Sequence, residues 1–173
     1  YLRLCLGKYV IMRIAVMFSG GKDSTFAIDW ALSKGHEIAY LLSVKPNRKD
    51  CYLFHYATVE HTKELSQMLG LKHILVSCSV ADPVKEAEIV KNVVAKNPVD
   101  AVVFGGVGLQ ETQIRSVKEA LAPLGIQVFP SHGGEDHGKL FREMLDKGYE
   151  IVITQVASAG LLNWLGKTVT KDN

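Results

Sequence analysis

Long apolar runs are missing from this 173-residue chain. None approaches the ~20 residues that a membrane-spanning helix needs. The start, where Arg3 and Lys8 break up the apolar residues, makes a poor secretory core. Cysteine is scarce: Cys5, Cys51 and Cys78 are odd in number and far apart, and no Cys-x-x-Cys occurs. That spacing fits neither a zinc knuckle nor an iron–sulfur motif and points to reduced thiols in a cytoplasmic protein. A bias of charge is lacking too, because 20 Lys and Arg against 18 Asp and Glu leave only +2. Bulk charge therefore gives no reason to expect direct nucleic-acid binding. With 47% apolar and 22% charged residues, a disordered or low-complexity chain is excluded.

What remains is an ordinary globular composition. A chain of this length buries roughly 70% of its unfolded surface and needs no disulfide or structural metal to fold. Met12 followed by Arg-Ile-Ala-Val reads as a natural beginning, so residues 1–11 are expected to be an upstream extension or tag remnant. Residues 12–173 are expected to form one domain. Ile14 to Phe18 is a buried strand that meets a tight turn, and Ser24 to Lys34 a helix stopped by Gly35. Strands follow at Ile38–Val44, Lys72–Ser77, Ala101–Phe104, Ile126–Phe129 and Glu150–Thr154. Helices alternate with them over Thr58–Leu69, Asp82–Lys96, Glu111–Leu121 and Lys139–Lys147. Such alternation predicts an α/β fold with a parallel sheet of about five or six strands and helices on both faces. Ligands of such sheets bind at the carboxyl ends of the strands.

Ser19-Gly20-Gly21-Lys22-Asp23-Ser24, between the first strand and the first helix, carries the sharpest chemical signal. Two glycines let backbone N–H groups approach an anion, and the helix N-terminus and Lys22 add positive charge. Ser19 and Ser24 can donate to phosphate oxygens. Asp23 would repel a bare phosphate, which suits a magnesium ion or a capping role. The hexapeptide is no Walker A loop, since Lys22 is followed by Asp23 and no glycine stands where that motif needs its first. Nor is there a Gly-x-Gly-x-x-Gly fingerprint around Gly106 and Gly108.

The hexapeptide resembles the PP-loop of the N-type ATP pyrophosphatases, Ser-Gly-Gly-x-Asp-Ser after the first strand. Four further stretches resemble the diphthamide synthetase branch of that superfamily. They are Tyr52-Leu53-Phe54-His55, Gly105-Gly106-Val107 with Glu111-Thr112-Gln113, the helix Leu140-Phe141-Arg142-Glu143-Met144-Leu145, and Gly160-Leu161 with Trp164-Leu165-Gly166-Lys167. The resemblance runs from Met12 to Lys167. It departs from the family at Thr112, where a Tyr is usual, at Arg115, two residues past Gln113 instead of three, and at Ala159, where an acid is usual. The family also continues into a Gly-Glu-Gly-Gly-Glu segment, which this sequence is expected to lack.

The resemblance implies an adenine-nucleotide α-hydrolase-like fold and an ATP-dependent, AMP-forming ligase. ATP would adenylate the carboxylate of diphthine on translation elongation factor 2, and ammonia would displace AMP to leave the amide. Lys22 and Asp23 are the expected catalytic residues; Ser19, Gly20, Gly21 and Ser24 complete the pyrophosphate cradle, with magnesium at Asp23. Leu42, Ser43, Val44, Gly105 and Gly106 are expected against the adenine, and Tyr52, His55, Glu111 and Gln113 against the substrate. Glu111 equally suits a purely helix-dipole role. A homodimer is compatible with this reading, and no membrane contact is expected. A PP-loop enzyme acting on tRNA would want a basic face or a persulfide cysteine, and a non-catalytic ATP-binding module would leave ATP whole. His132, Glu135, Asp136 and His137 crowd together in a glycine-rich loop, off any single helix face.

Overall fold

The computed structural model describes residues 10–51, 53–54, 59–156 and 158–172. The chain divides into two compact units, Tyr1–Gly133 and Gly134–Asn173.

In the first unit the strands are β1 (Arg13–Met17), β2 (Glu37–Pro46), β3 (His73–Cys78), β4 (Ala101–Phe104) and β5 (Gln127–Pro130). Between them run α1 (Lys22–Ser33), α2 (Thr62–Met68), α3 (Pro83–Lys96) and α4 (Glu111–Leu121). The five strands form one parallel sheet in the order β3-β2-β1-β4-β5. Side chains alternate across it. Ile14, Val16, Leu41, Ala101 and Val103 face one way and pack with Ala27, Ile28 and Ala31 of α1. Ala15, Met17, Leu42, Val44 and Val102 face the other and pack with Ala87, Val90 and Val94 of α3 and Val117 and Leu121 of α4. Both faces being dry explains why β1 and β4 are nearly all apolar in sequence.

Local chemistry sets the helix ends. Asp82 caps α3, its Oδ1 accepting from the Lys85 N–H at 2.9 Å, with Pro83 at the first helical position. The chain leaves α1 through Gly35 at φ +74°, a left-handed conformation that favours glycine. After β1 the sequence builds outward to β2 and β3, then returns to place β4 on the other side of β1. The split between β1 and β4 is the switch point at which such sheets open a crevice.

In the second unit, α5 (His137–Asp146) is capped by Asp136, whose Oδ1 accepts from the Lys139 N–H at 2.7 Å. A short ribbon of β6 (Ile151–Val152) and β7 (Thr168–Val169) follows, joined through a 3-10 turn at Ala159–Trp164. This corrects the expectation of a further parallel strand over Glu150–Thr154. Only Ile151 and Val152 are strand, they pair antiparallel, and Val152 is exposed while Ile151 is buried. One-sided burial of this kind suits a local ribbon, not a strand covered on both faces.

Candidate active site

The loop after β1 and the first turn of α1 form the floor of the site. Gly20 takes φ +77°, which turns the chain into the helix. Gly21 sits at the N-cap with no side chain to satisfy the first helical N–H groups, so α1 presents donors and its positive dipole end to whatever binds there. The loop is braced from within. Ser24 Oγ donates to the Gly21 carbonyl at 3.0 Å and accepts from the Ser19 N–H at 3.3 Å, and the Ser19 and Ser24 hydroxyl oxygens lie 3.3 Å apart. Asp23 has two unlike carboxylate oxygens: Oδ2 receives the Lys22 ammonium at 2.7 Å, while Oδ1 is buried with no hydrogen-bond partner.

Gly105, just past β4, presses against this turn. A Cβ there would meet the Asp23 carbonyl carbon and oxygen at 2.4 Å and the Ser24 nitrogen at 2.5 Å. Glycine is therefore required for β4 to approach the N-terminus of α1. The same loop is tied to the segment just past β5, where the Ser131 N–H donates to the Phe104 carbonyl at 2.8 Å and the His132 N–H to the Gly106 carbonyl at 3.1 Å.

Above the floor is a cavity of about 270 Å³ at the carboxyl ends of β1, β2 and β4. One wall is apolar, made of Met17, Phe18, Leu42, Val44, Phe54, Val59 and Phe104; Ser19, Gly21, Asp23, Ser24, Gly105, Gln110 and Gln113 supply the polar rim. The volume is near the lower end of the roughly 300–1,000 Å³ typical of small-molecule sites, so it suits a nucleobase better than a whole nucleotide.

Of the residues expected at the site, Ser19, Gly21, Asp23, Ser24, Leu42, Val44, Gly105 and Gln113 line this cavity, whereas Gly20, Lys22, Ser43, Gly106 and Glu111 do not. Gly20 and Gly106 stand in the neighbouring loops and Lys22 at the first position of α1. Glu111 is exposed on the first turn of α4, as a dipole-complementing residue would be. Tyr52 and His55 lie outside the described residues. Ser43 points to the α1 face of the sheet: its hydroxyl donates to the Phe18 carbonyl at 2.6 Å and meets His73 Nε2 at 2.9 Å. Since the one hydroxyl proton goes to Phe18, His73 must donate, which fixes the Nε2–H tautomer. Burial first, and the Lys63 charge second, hold His73 below its ordinary pKa.

Met17, Phe18, Phe54, Val59, Phe104 and Gln110 also line the cavity without being among the expected site residues, although Phe54 stands inside the Tyr52-Leu53-Phe54-His55 motif. Phe104 is legible as the last buried position before Gly105, whereas Val59 opens a short 3-10 turn that no periodicity marks. Gln113 has a second duty, its amide donating to the Leu53 carbonyl and tying α4 to the segment that carries Phe54.

The crowded loop from His132 to His137 forms no metal cluster among the described residues. The His132 ring stacks on Phe26 with centroids 4.9 Å apart and its Nδ1 meets Ser131 Oγ at 2.9 Å, while Asp136 caps α5. Cys51 and Cys78 are free thiols, not joined in a disulfide. Burial, then the Cys78 thiol, push Cys51 up to about 11, so it stays a protonated thiol at neutral pH and lacks the thiolate a persulfide carrier needs.

Residues 12–126, spanning β1 to the turn before β5, match the diphthamide synthase N-terminal domain. The chain belongs to that family. As a diphthamide synthase-type domain, it is 25% identical over 182 residues to human diphthine–ammonia ligase, which covers 91% of this chain and 67% of that protein. It is 28% identical over 172 residues to the zebrafish (Danio rerio) diphthine–ammonia ligase, over 87% of this chain and 66% of that one. The chain thus spans about two thirds of the length of these relatives. In the domain, no helix among the described residues is long and apolar enough to cross a membrane.

Proposed function

We propose that this domain is an ATP-dependent ligase that converts the carboxylate of diphthine on elongation factor 2 into the amide, consuming ammonia and releasing AMP and pyrophosphate. The observation that carries this reading is the uncapped N-terminus of α1, wrapped by Ser19–Ser24, opening onto an apolar cavity at the sheet's switch point. The family match and the relatives' activity support it. A cytoplasmic setting accords with the elongation factor as substrate and with the free thiols.

The geometry supports the following roles. The adenine would lie on Leu42, Val44, Phe54 and Phe104, with the Gln110 and Gln113 amides available to its polar edge. The β,γ-pyrophosphate would sit over the N–H groups of the first turn of α1, between the Ser19 and Ser24 hydroxyls. Lys22, held beside Asp23, supplies the cation nearest this turn and would follow the negative charge that builds on the departing pyrophosphate. The residues also fit magnesium, because Asp23 Oδ1 is a hard oxygen donor, buried and unsatisfied, beside the phosphate cradle. Magnesium bound there would offset phosphate charge in the transition state.

In the reaction, a diphthine carboxylate oxygen attacks the α-phosphorus and pyrophosphate leaves. Ammonia then adds to the acyl carbon, and AMP departs carrying that oxygen, leaving the amide. Holding both reactants in one crevice is worth up to about 7–11 kcal/mol of barrier. The test is turnover with magnesium-ATP, ammonium and diphthine-bearing elongation factor 2, scoring AMP and the acid-to-amide mass change together. Both products, falling together in Lys22→Ala, bear the proposal out. ATP left intact contradicts it, and AMP formed with unmodified elongation factor contradicts the substrate assignment.

A further inference from the structure

Cys51 and Cys78, 27 residues apart in sequence, come together at the carboxyl end of β3 with their sulfurs 3.9 Å apart. The Glu86 carboxylate, from the first turn of α3, joins them, so that two sulfurs and one carboxylate oxygen all lie within 4.8 Å of one another. Cys78 and Glu86 are fully buried, and Cys51 is half-buried. Both thiols donate to the Val80 carbonyl, at 3.2 and 3.4 Å.

We propose that Cys51, Cys78 and Glu86 form a binding site for a thiophilic divalent cation of the zinc class. Sulfur ligands at ~2.3 Å on a tetrahedral ion stand ~3.8 Å from each other, close to the 3.9 Å observed here. A disulfide would need the sulfurs at ~2.05 Å and an external oxidant. Two thiols plus a carboxylate make the mixed S,O donor set that borderline-soft ions take. The Val80 carbonyl, beside both sulfurs, offers a further oxygen. On binding, the ion replaces the two thiol protons, which pass to solvent, with no change in oxidation state.

The site has a structural consequence of its own. Glu86 Oε2 already accepts from the Leu53 N–H at 2.7 Å, and Leu53 precedes Phe54 of the cavity wall. A cation here would clamp the segment after β2 to β3 and α3. The proposal stands apart from the ATP reading, because metal binding is measured with no nucleotide present.

The experiment uses the full chain carrying Cys5→Ser, reduced and freed of metal with a chelator, then titrated with cobalt(II). About one equivalent should produce thiolate-to-cobalt charge transfer in the near ultraviolet and the intense visible bands of tetrahedral cobalt, with release of two protons. Zinc should bleach both. Cys51→Ser should abolish the charge-transfer band or cut it to that of a single thiolate. Glu86→Gln, which keeps an acceptor for Leu53, should weaken zinc by at least the ~10–100-fold that losing even an outer-shell partner costs. Circular dichroism reports whether Cys78→Ser folds; if it does not, Glu86→Gln decides. Three results overturn the proposal: no thiolate band, metal binding unchanged in Cys51→Ser and Glu86→Gln, or a chain that joins Cys51 to Cys78 in air and retains no metal.

Discussion

Asp23 concentrates the chemistry of the site in one side chain, since one oxygen is paired with Lys22 and the other is buried without a partner. A buried unsatisfied carboxylate oxygen costs about 1–3 kcal/mol or more, a cost that a bound cation would remove. Asp23→Asn, close to isosteric, should therefore raise the magnesium concentration needed for half-maximal AMP formation while leaving the fold intact. Lys22→Ala should lower kcat/KM for AMP formation by roughly 10–100-fold, the size of a charge-assisted phosphate contact at about 1.5–3 kcal/mol. Gly105→Ala drives a methyl into the backbone of Asp23 and Ser24; it should cost about 1–3 kcal/mol of stability in urea unfolding and weaken ATP binding as well. At this scale the sequence was readable where a residue type is chemically constrained, as in the glycines and hydroxyls of the loop. It misleads where Leu42, Ser43 and Val44 are read as a block. Strand geometry sends every second side chain to the opposite face, so Ser43 serves the α1 side while its neighbours line the cavity.

Elements hold these residues in register. The link from His73 on β3 through Ser43 on β2 to the Phe18 carbonyl ties two strands to the start of the Ser19–Ser24 loop. Because burial lowers His73 below its ordinary 6.5 in the fold, the unfolded chain binds a proton more readily than the folded one. Protonation falls on Nδ1 and leaves the Nε2–H donor in place, so the stability at stake is that of the neutral, buried imidazole: it is complete above pH ~6.5 and is lost as pH falls through the lower folded value. Urea midpoints should decline over that acidic window in the native chain, and His73→Gln should flatten this component. The alternating strands and helices of the first unit were legible, because apolar runs closed by glycine or by Asp82-Pro83 leave little choice. The segment Glu150–Thr154 was not, since a run of apolar residues does not reveal its partner. Nor did spacing bring Cys51 to Cys78; only the pairing of β2 with β3 and the packing of α3 do that.

For the whole molecule, the family match at 12–126 falls inside the first compact unit, which also holds the loop, the cavity and the thiol pair. Ligand binding to that unit should raise its stability by mass action. Magnesium-ATP at about 100 times its Kd should add ~2.7 kcal/mol to unfolding, and chelating the magnesium should shrink the gain. Thermal melts with and without chelator measure this directly. The central claim is that the substrate carboxylate is activated by adenylation, and a heavy-oxygen label in the diphthine carboxylate tests it most sharply. After turnover with ATP and ammonium, one labelled oxygen should appear in AMP and none in pyrophosphate. Label appearing in inorganic phosphate, with ADP as the other product, would contradict it.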